Sequence, residues 1–486
     1  MSSEQQHGVV FPRSADGKRS TSALGRSVLA DALRAADPAG ARAAEQTTNW
    51  RSDYLAHLRR AVEAGLDARG SALSIATDGL ASLHDRMRVA GDGDDIPLGD
   101  WTSSTRLATA EVRGTGEAET GFSLPYRGIR LRGDALHQQL ETWVGAGVME
   151  PSAAEAVRAV MDNPDWLRAD GFTVVVLGAG AEMGPLQALL HWGARVVAVD
   201  LPRPAIWERA LETARTGAGT LLLPVPPGST GADASVAGAD LLSDVPAVGD
   251  WLAGIDGSLV LGNYVYADGA TNVRVAVAVD ALSTRLVADR TDTALAFLAT
   301  PTDVFAVPAD AVRQSTTNYE SRSTRAKALG RPLRAASGGR LMRRNYAPGA
   351  DPGINDSLVP QQGPNYALAK RLQRWRATVA REAGTTVSLN VAPPTRTRSV
   401  VKNRALAAAY AGAHRFGVEV FEPATSNVLM AALLVHDLHT GGGPAHELPW
   451  QDEAYAAVHG GLWRAPYAPR SALGLAALLG YAAARS

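Results

Sequence analysis

The chain has no cysteine in its 486 residues. That absence excludes disulfides, thiolate nucleophiles, cysteine-ligated zinc and iron–sulfur clusters together. Lysine is scarce, four residues against 44 arginines. Net charge is also lacking, with 48 bases against 49 acids, so no overall field recruits nucleic acid or a membrane surface. The polar opening, MSSEQQHGVVFPRSADGKRS, has no apolar core of the signal-peptide kind. The apolar stretch at 472–484 is too short to cross a bilayer. The expectation is a cytoplasmic protein without nucleic-acid or membrane partners. What remains is ordinary: 46% hydrophobic and 20% charged residues, in a chain long enough for two domains.

The most informative stretch is 171–200, GFTVVVLGAGAEMGPLQALLHWGARVVAVD. Residues 172–177 form a continuous apolar run, the pattern of a strand buried on both faces. Gly178, Ala179, Gly180, Ala181, Glu182, Met183 and Gly184 then make a G-x-G-x-x-G turn, and 185–192 reads as a short helix. A second buried strand, 194–199, ends on Asp200 and Leu201. Each glycine has a task in dinucleotide binding. The first allows the tight turn, the second lets backbone approach a pyrophosphate, and the third packs helix on strand. An acid at the end of the second strand suits a ribose hydroxyl pair.

Taken in order, the chain reads as a polar, disordered tail over 1–20, a mostly helical N-terminal domain over 21–165, and a nucleotide-binding domain over 166–486. Residues 91–133 read as loops with a small hairpin. After Asp200, strands are expected at 220–225, 258–261, 294–299 and 386–391, with helices between them, and a further short strand at 418–421. That alternation predicts an α/β fold of the Rossmann type, a doubly wound parallel sheet. Ligands bind outside the carboxyl ends of such strands, which places Asn263, Thr300 and Thr302 at the mouth by topology. Residues 305–362 look like an insertion outside the core. Between 313 and 344 it carries nine basic residues against Glu320 alone, a composition that reads either as a mobile solvated loop or as a lid that orders over an anionic small molecule.

A long helix beginning near Asn365 contains Tyr366 and Lys370, four apart and therefore on one face. With 11 tyrosines and four lysines in the chain, an accidental Tyr-x-x-x-Lys arises in about one such sequence in ten. Here the pair sits on the helix between the fifth and sixth strands. The order of these pieces resembles the short-chain dehydrogenase/reductase superfamily over roughly residues 170–440. The resemblance implies NAD as cofactor, with NADP the alternative that Arg203 would favour. It implies hydride transfer between nicotinamide and a carbonyl/alcohol pair on a small substrate, which the basic insertion would make an anion. Tyr366 would be the proton donor or acceptor. Lys370 would lower its pKa and hold the nicotinamide ribose. Gly178, Gly180, Ala181, Glu182, Met183, Gly184, Asp200, Leu201, Asn263, Pro393 and Thr395 would line the cofactor. A homo-oligomer is compatible with that family.

The departures are specific. No serine stands a dozen residues before Tyr366, so Thr300, Thr302 and Ser357 compete for the hydroxyl role, with Thr300 the first choice. Residues 178–200 also resemble the first motif of S-adenosylmethionine-dependent methyltransferases, with Asp200 on the adenosine ribose. A non-catalytic nucleotide-binding protein is a third reading. His436 and His439 near a helix end are too few for a metal site, and no metal is expected.

Overall fold

The computed structural model describes residues 7–91 and 94–481, and their side chains except those of Arg325, Ala326 and Leu329. Seven strands make the main sheet: β1 Ala108–Arg113, β2 Phe172–Leu177, β3 Arg195–Val199, β4 Thr220–Val225, β5 Ser258–Asn263, β6 Ala294–Ala299 and β7 Val387–Val391. They lie in the order β7-β6-β5-β2-β3-β4-β1. Strands β2 to β7 run parallel, and β1 is antiparallel against β4 at one edge.

Alternate residues along each inner strand enter different cores, as a period of two requires. Val175, Leu177, Val197, Val199, Leu259 and Leu261 face one side. Val174, Val176, Val196, Ala198 and Val260 face the other. The first core is closed by the Thr21–Leu33, Trp50–Glu63 and Arg69–Arg86 helices with Ala270–Asp289 and Gly363–Glu382. The second is closed by Gly133–Ala146, Pro151–Asp162, Leu186–Trp192, Pro204–Thr216 and Pro423–Thr440. Strands apolar on both faces need helices on both faces, and this fold supplies them. From β2 the chain steps out to β3 and β4, then returns to β5 on the other side of β2. Leu177 and Asn263, the last residues of β2 and β5, are register partners at that reversal.

The expected division near residue 165 is not how the side chains pack. Strand β1 comes from the N-terminal part and completes the main sheet. The Arg69–Arg86 helix lies so close to the Gly363–Glu382 helix that a Cβ at Gly79 would sit 2.5 Å from the Trp375 ring. Asp280, 1% exposed, accepts two 2.7 Å bonds from Arg376 and faces the His84 Nε2 at 2.7 Å. His84 belongs to the N-terminal helices, and its partners lie about two to three hundred residues on. No local pattern carries such a contact.

The expected tail also differs. Residues 1–6 lie outside the described residues, but Gly8–Val10 is a buried strand paired with Arg88–Ala90. Buried Arg274 donates to the carbonyls of His7 and Val9, tying that backbone down. Residues 305–362 are more than a loop. Val304–Val307 pairs with Gly353–Asp356 as a ribbon whose Phe305 is buried, and the helices Ala309–Glu320 and Thr324–Ala336 rise from it. The hairpin expected within 91–133 is Leu124–Tyr126 with Ile129–Leu131. Instead of a strand at 418–421 there is a single bridge, Thr395 to Phe421. Among the described residues no helix is long and apolar enough to cross a membrane.

Candidate active site at the carboxyl edge of the sheet

Gly178 leaves β2 with φ of +86°, the left-handed region that glycine tolerates. A Cβ there would lie 3.0 Å from the Tyr264 carbonyl group, so both conformation and space demand glycine. The amides of Gly178 and Ala179 donate to Val199 O at 2.8 and 3.3 Å, pinning the turn to the end of β3. Asp200 completes the clasp. Its Oδ2 accepts from the Gly180 amide at 2.7 Å and its Oδ1 from the Leu201 amide at 2.7 Å. Burial raises the Asp200 carboxyl above its ordinary value, and the two amides oppose that. Each oxygen keeps a lone pair for a further donor.

Ala181 and Met183 pack against the second core. Glu182 reaches across the mouth, accepting from the Arg398 amide at 2.8 Å and meeting its guanidinium at 3.1 Å. Asn427 donates to the Gly184 carbonyl. The turn is thus tied to β3, to the segment after β7 and to the Pro423–Thr440 helix. The Thr395 hydroxyl is already engaged within the fold. Thr395 is 6% exposed, with its hydroxyl on the Pro393 carbonyl and the Ser426 hydroxyl. A backbone bridge joins Thr395 to Phe421, and Arg396 and Thr397 are more exposed than Thr395.

Tyr366 and Lys370 stand half-buried near the start of the Gly363–Glu382 helix. Thr300, just past the end of β6, neighbours the Tyr366 phenol, and its hydroxyl lies 2.8 Å from that of Thr302. Ser357 is buried with its hydroxyl on Asn355 Oδ1. Of the three competing hydroxyls, that of Ser357 is thus engaged by Asn355, and those of Thr300 and Thr302 engage each other. Lys370 Nζ donates to Leu298 O at 3.1 Å and to Gln373 Oε1 at 3.0 Å. Gln373 in turn donates to the buried Asn263 at 3.1 Å, linking Lys370 to the end of β5. Gln373 was not anticipated, although its position three residues beyond Lys370 on one helix face was a usable signal.

Burial dominates the electrostatics here. It pushes the Tyr366 phenol up to about 12 in spite of the neighbouring Thr300 hydroxyl. It brings Lys370 down to about 8, against the pull of Asp303. The expected lowering of the phenol by Lys370 is absent, because the amine is directed at Leu298 and Gln373.

Beneath the pair lies a second arrangement that the sequence did not announce. Asp303 is 2% exposed and accepts from Arg371 at 2.9 Å and Arg374 at 2.7 Å. Burial alone would raise this carboxyl, but the two guanidiniums outweigh it and hold it below its ordinary value. Arg374 also bonds Glu453 and the Val304 carbonyl, and lies 4.1 Å over the Phe305 ring. These charges clamp the Tyr366 helix to the segment carrying Thr300.

No family model matches the chain, and no curated protein does. Among solved structures it is similar to a thiolation–reductase di-domain from an archaeal non-ribosomal peptide synthetase, at 11% identity over 54% of this chain with a TM-score of 0.29. The chain spans about half, 52%, of that structure's length. A likeness this distant carries no argument.

The pair His436 and His439 is otherwise engaged. His436 lies 3.2 Å from Asp437, whose other oxygen accepts from Ser388 and Asn390, and His439 stacks on Trp166. Among the described residues no three His, Asp or Glu side chains gather as metal ligands would.

Proposed function

We propose that this chain is an oxidoreductase that holds a nicotinamide dinucleotide across the carboxyl edge of a Rossmann-type sheet. The observation that carries the reading is a convergence. The glycine turn with Asp200 and the Tyr366–Thr300–Lys370 group lie at the same edge, on either side of the β2/β5 reversal where such sheets bind ligands. The residues present fit the group. The Gly180 position is a cradle in which a Cβ would crowd Asp200 Oδ2 at 3.3 Å, and Asp200 retains acceptor capacity for ribose hydroxyls. A buried carboxylate there disfavours a 2′-phosphate, so NAD is preferred to NADP.

When bound, the nicotinamide would supply or accept the hydride. The rest is the work of this chain. Tyr366, with its phenol held near 12, is fully protonated at neutral pH and is poised to donate to a carbonyl oxygen. Thr300, beside that phenol, offers a second hydroxyl to the same oxygen. Lys370 carries a positive charge over most of the neutral range and lies beside the edge where a developing alkoxide would form. Asn263 and Gln373 hold its amine in place. A protonated phenol at neutral pH suits the donor role in carbonyl reduction.

A second reading, a nucleotide-binding protein without turnover, draws on one observation: Lys370 faces Leu298 and Gln373 rather than the phenol. Thermal melts with NAD, NADP and S-adenosylmethionine separate the ligand classes. A ligand at a hundred times its Kd adds about 2.7 kcal/mol of stability. Stabilisation by NAD, with NADH oxidation by a carbonyl panel that Tyr366→Phe abolishes, supports the oxidoreductase. Stabilisation by S-adenosylmethionine alone refutes it.

A further inference from the structure

The two helices Ala309–Glu320 and Thr324–Ala336 enclose a cleft of about 760 Å³ that shares no lining residue with the site above. Arg322, Lys327, Arg331, Arg334 and Arg344 line it, and among the described lining residues the acid is Glu320. Glu320 is already engaged by Arg344 at 3.1 Å. Lys327 and Arg331 have no ion-pair partner among the described residues. Gathering five cations around one carboxylate is costly through self-repulsion.

The charges are also held in place. Arg322 lies 3.4 Å over the Tyr319 ring and donates to the Tyr467 hydroxyl at 2.6 Å. Arg344 lies 4.5 Å over the same Tyr319 ring. Stacked guanidiniums keep their planar forks directed and lose less freedom on meeting an oxyanion. Burial would push the Tyr319 phenol up, but Arg322 and Arg334 outweigh it and hold it below its ordinary value. That is a second sign of the positive potential in the cleft.

We propose that this cleft is a separate binding site for a small molecule bearing two or more phosphate groups. One phosphate carries roughly −1.5 to −2, so balancing five cations less one carboxylate takes at least two. Arginine forks match phosphate oxygens bidentately, and the cleft's size suits a small molecule rather than a flat macromolecular contact.

The test is calorimetric titration of the full chain with inorganic tripolyphosphate and with orthophosphate. The expected result is one tripolyphosphate per chain, bound at least tenfold more tightly than orthophosphate and weakened by added salt. The variant Lys327→Gln/Arg331→Gln/Arg334→Gln should bind at least tenfold more weakly, while its affinity for NADH stays unchanged. Its melting temperature without ligand should be unchanged or higher, because repulsion has been removed. Arg331→Gln alone, on an exposed side chain, should weaken binding at least threefold and serves if the triple variant does not fold. No saturable heat with tripolyphosphate overturns the proposal. So does undiminished binding by these variants, which would move the anion to the glycine turn.

Discussion

Replacing Asp303 with asparagine removes the carboxylate shared by Arg371 and Arg374 while keeping the side chain's shape. The side chains of these arginines are 5% and 1% exposed. Arg374 keeps Glu453 and the Val304 carbonyl, but Arg371 is left without a carboxylate contact among the described residues. Its Nε already lacks a partner. Breaking a buried pair by removing one member costs roughly 3–5 kcal/mol, because a charge stays buried and uncompensated. Since Arg374 retains its second partner, the loss should fall at the low end, about 3 kcal/mol. Urea unfolding followed by tryptophan fluorescence reads this as a lower midpoint at unchanged slope. The double variant Asp303→Asn/Arg371→Met removes the orphaned charge and should recover at least about 1 kcal/mol of the loss. Because Asp303 raises the pKa of both Tyr366 and Lys370, both groups should titrate lower in the single variant. A single variant within about 1 kcal/mol of the parent, or a double variant no better than the single, refutes the reasoning.

The remaining expectations follow from other contacts. Glu150 is 4% exposed, is bonded by Arg464 at 2.8 and 2.6 Å and faces His459 Nε2 at 2.8 Å. Burial holds His459 below its ordinary value, so Arg464 supplies the charge at neutral pH. Although burial alone would raise it, Glu150 falls from 4.5 to about 2. Its ionised form therefore adds about 3 kcal/mol above pH 4.5, lost as pH falls toward 2. The stability gap between the parent chain and Glu150→Gln, measured by urea unfolding at pH 7 and pH 3, should shrink accordingly. Gly79→Val should lower the melting temperature by an amount equivalent to 1–3 kcal/mol, roughly the cost of overpacking, because its side chain enters the Trp375 ring. If Tyr366 is the proton donor, carbonyl reduction should proceed across neutral pH. Alcohol oxidation should rise only at alkaline pH, as initial rates in the two directions would show.

What could be read beforehand was local. The apolar runs of β2 and β3, the glycine turn and Asp200 lie within 30 residues, and their pattern is their structure. Tyr366 and Lys370 were visible because helical spacing puts them together. Strand β1 was not, since an edge strand with one polar face has only a short alternation and is defined by pairing with β4, over a hundred residues away. The docking of the N-terminal helices rests on Gly79 against Trp375 and on His84 with Asp280 and Arg376, pairings of distant residues. The count of arginines over 313–344 suggested a loop and hid the buried ribbon from which those helices rise. Which hydroxyl stands beside Tyr366 was open in the sequence. Ser357 is set aside only by its bond to Asn355. The direction of Lys370 is decided by burial, which no spacing reveals.

A dinucleotide bound as proposed lies along the 178–184 turn with its reactive end at Tyr366. Fluorescence titration of the chain with NADH tests it most directly, using energy transfer from the protein's tryptophans. The parent chain should show saturable binding. Gly180→Val, which fills the cradle beside Asp200, should weaken it at least tenfold, and Tyr366→Phe should leave it within about twofold, since only a transferable proton is lost. Saturable binding unchanged in Gly180→Val, or no saturable binding of NADH by the parent chain, would rule out a dinucleotide on this turn.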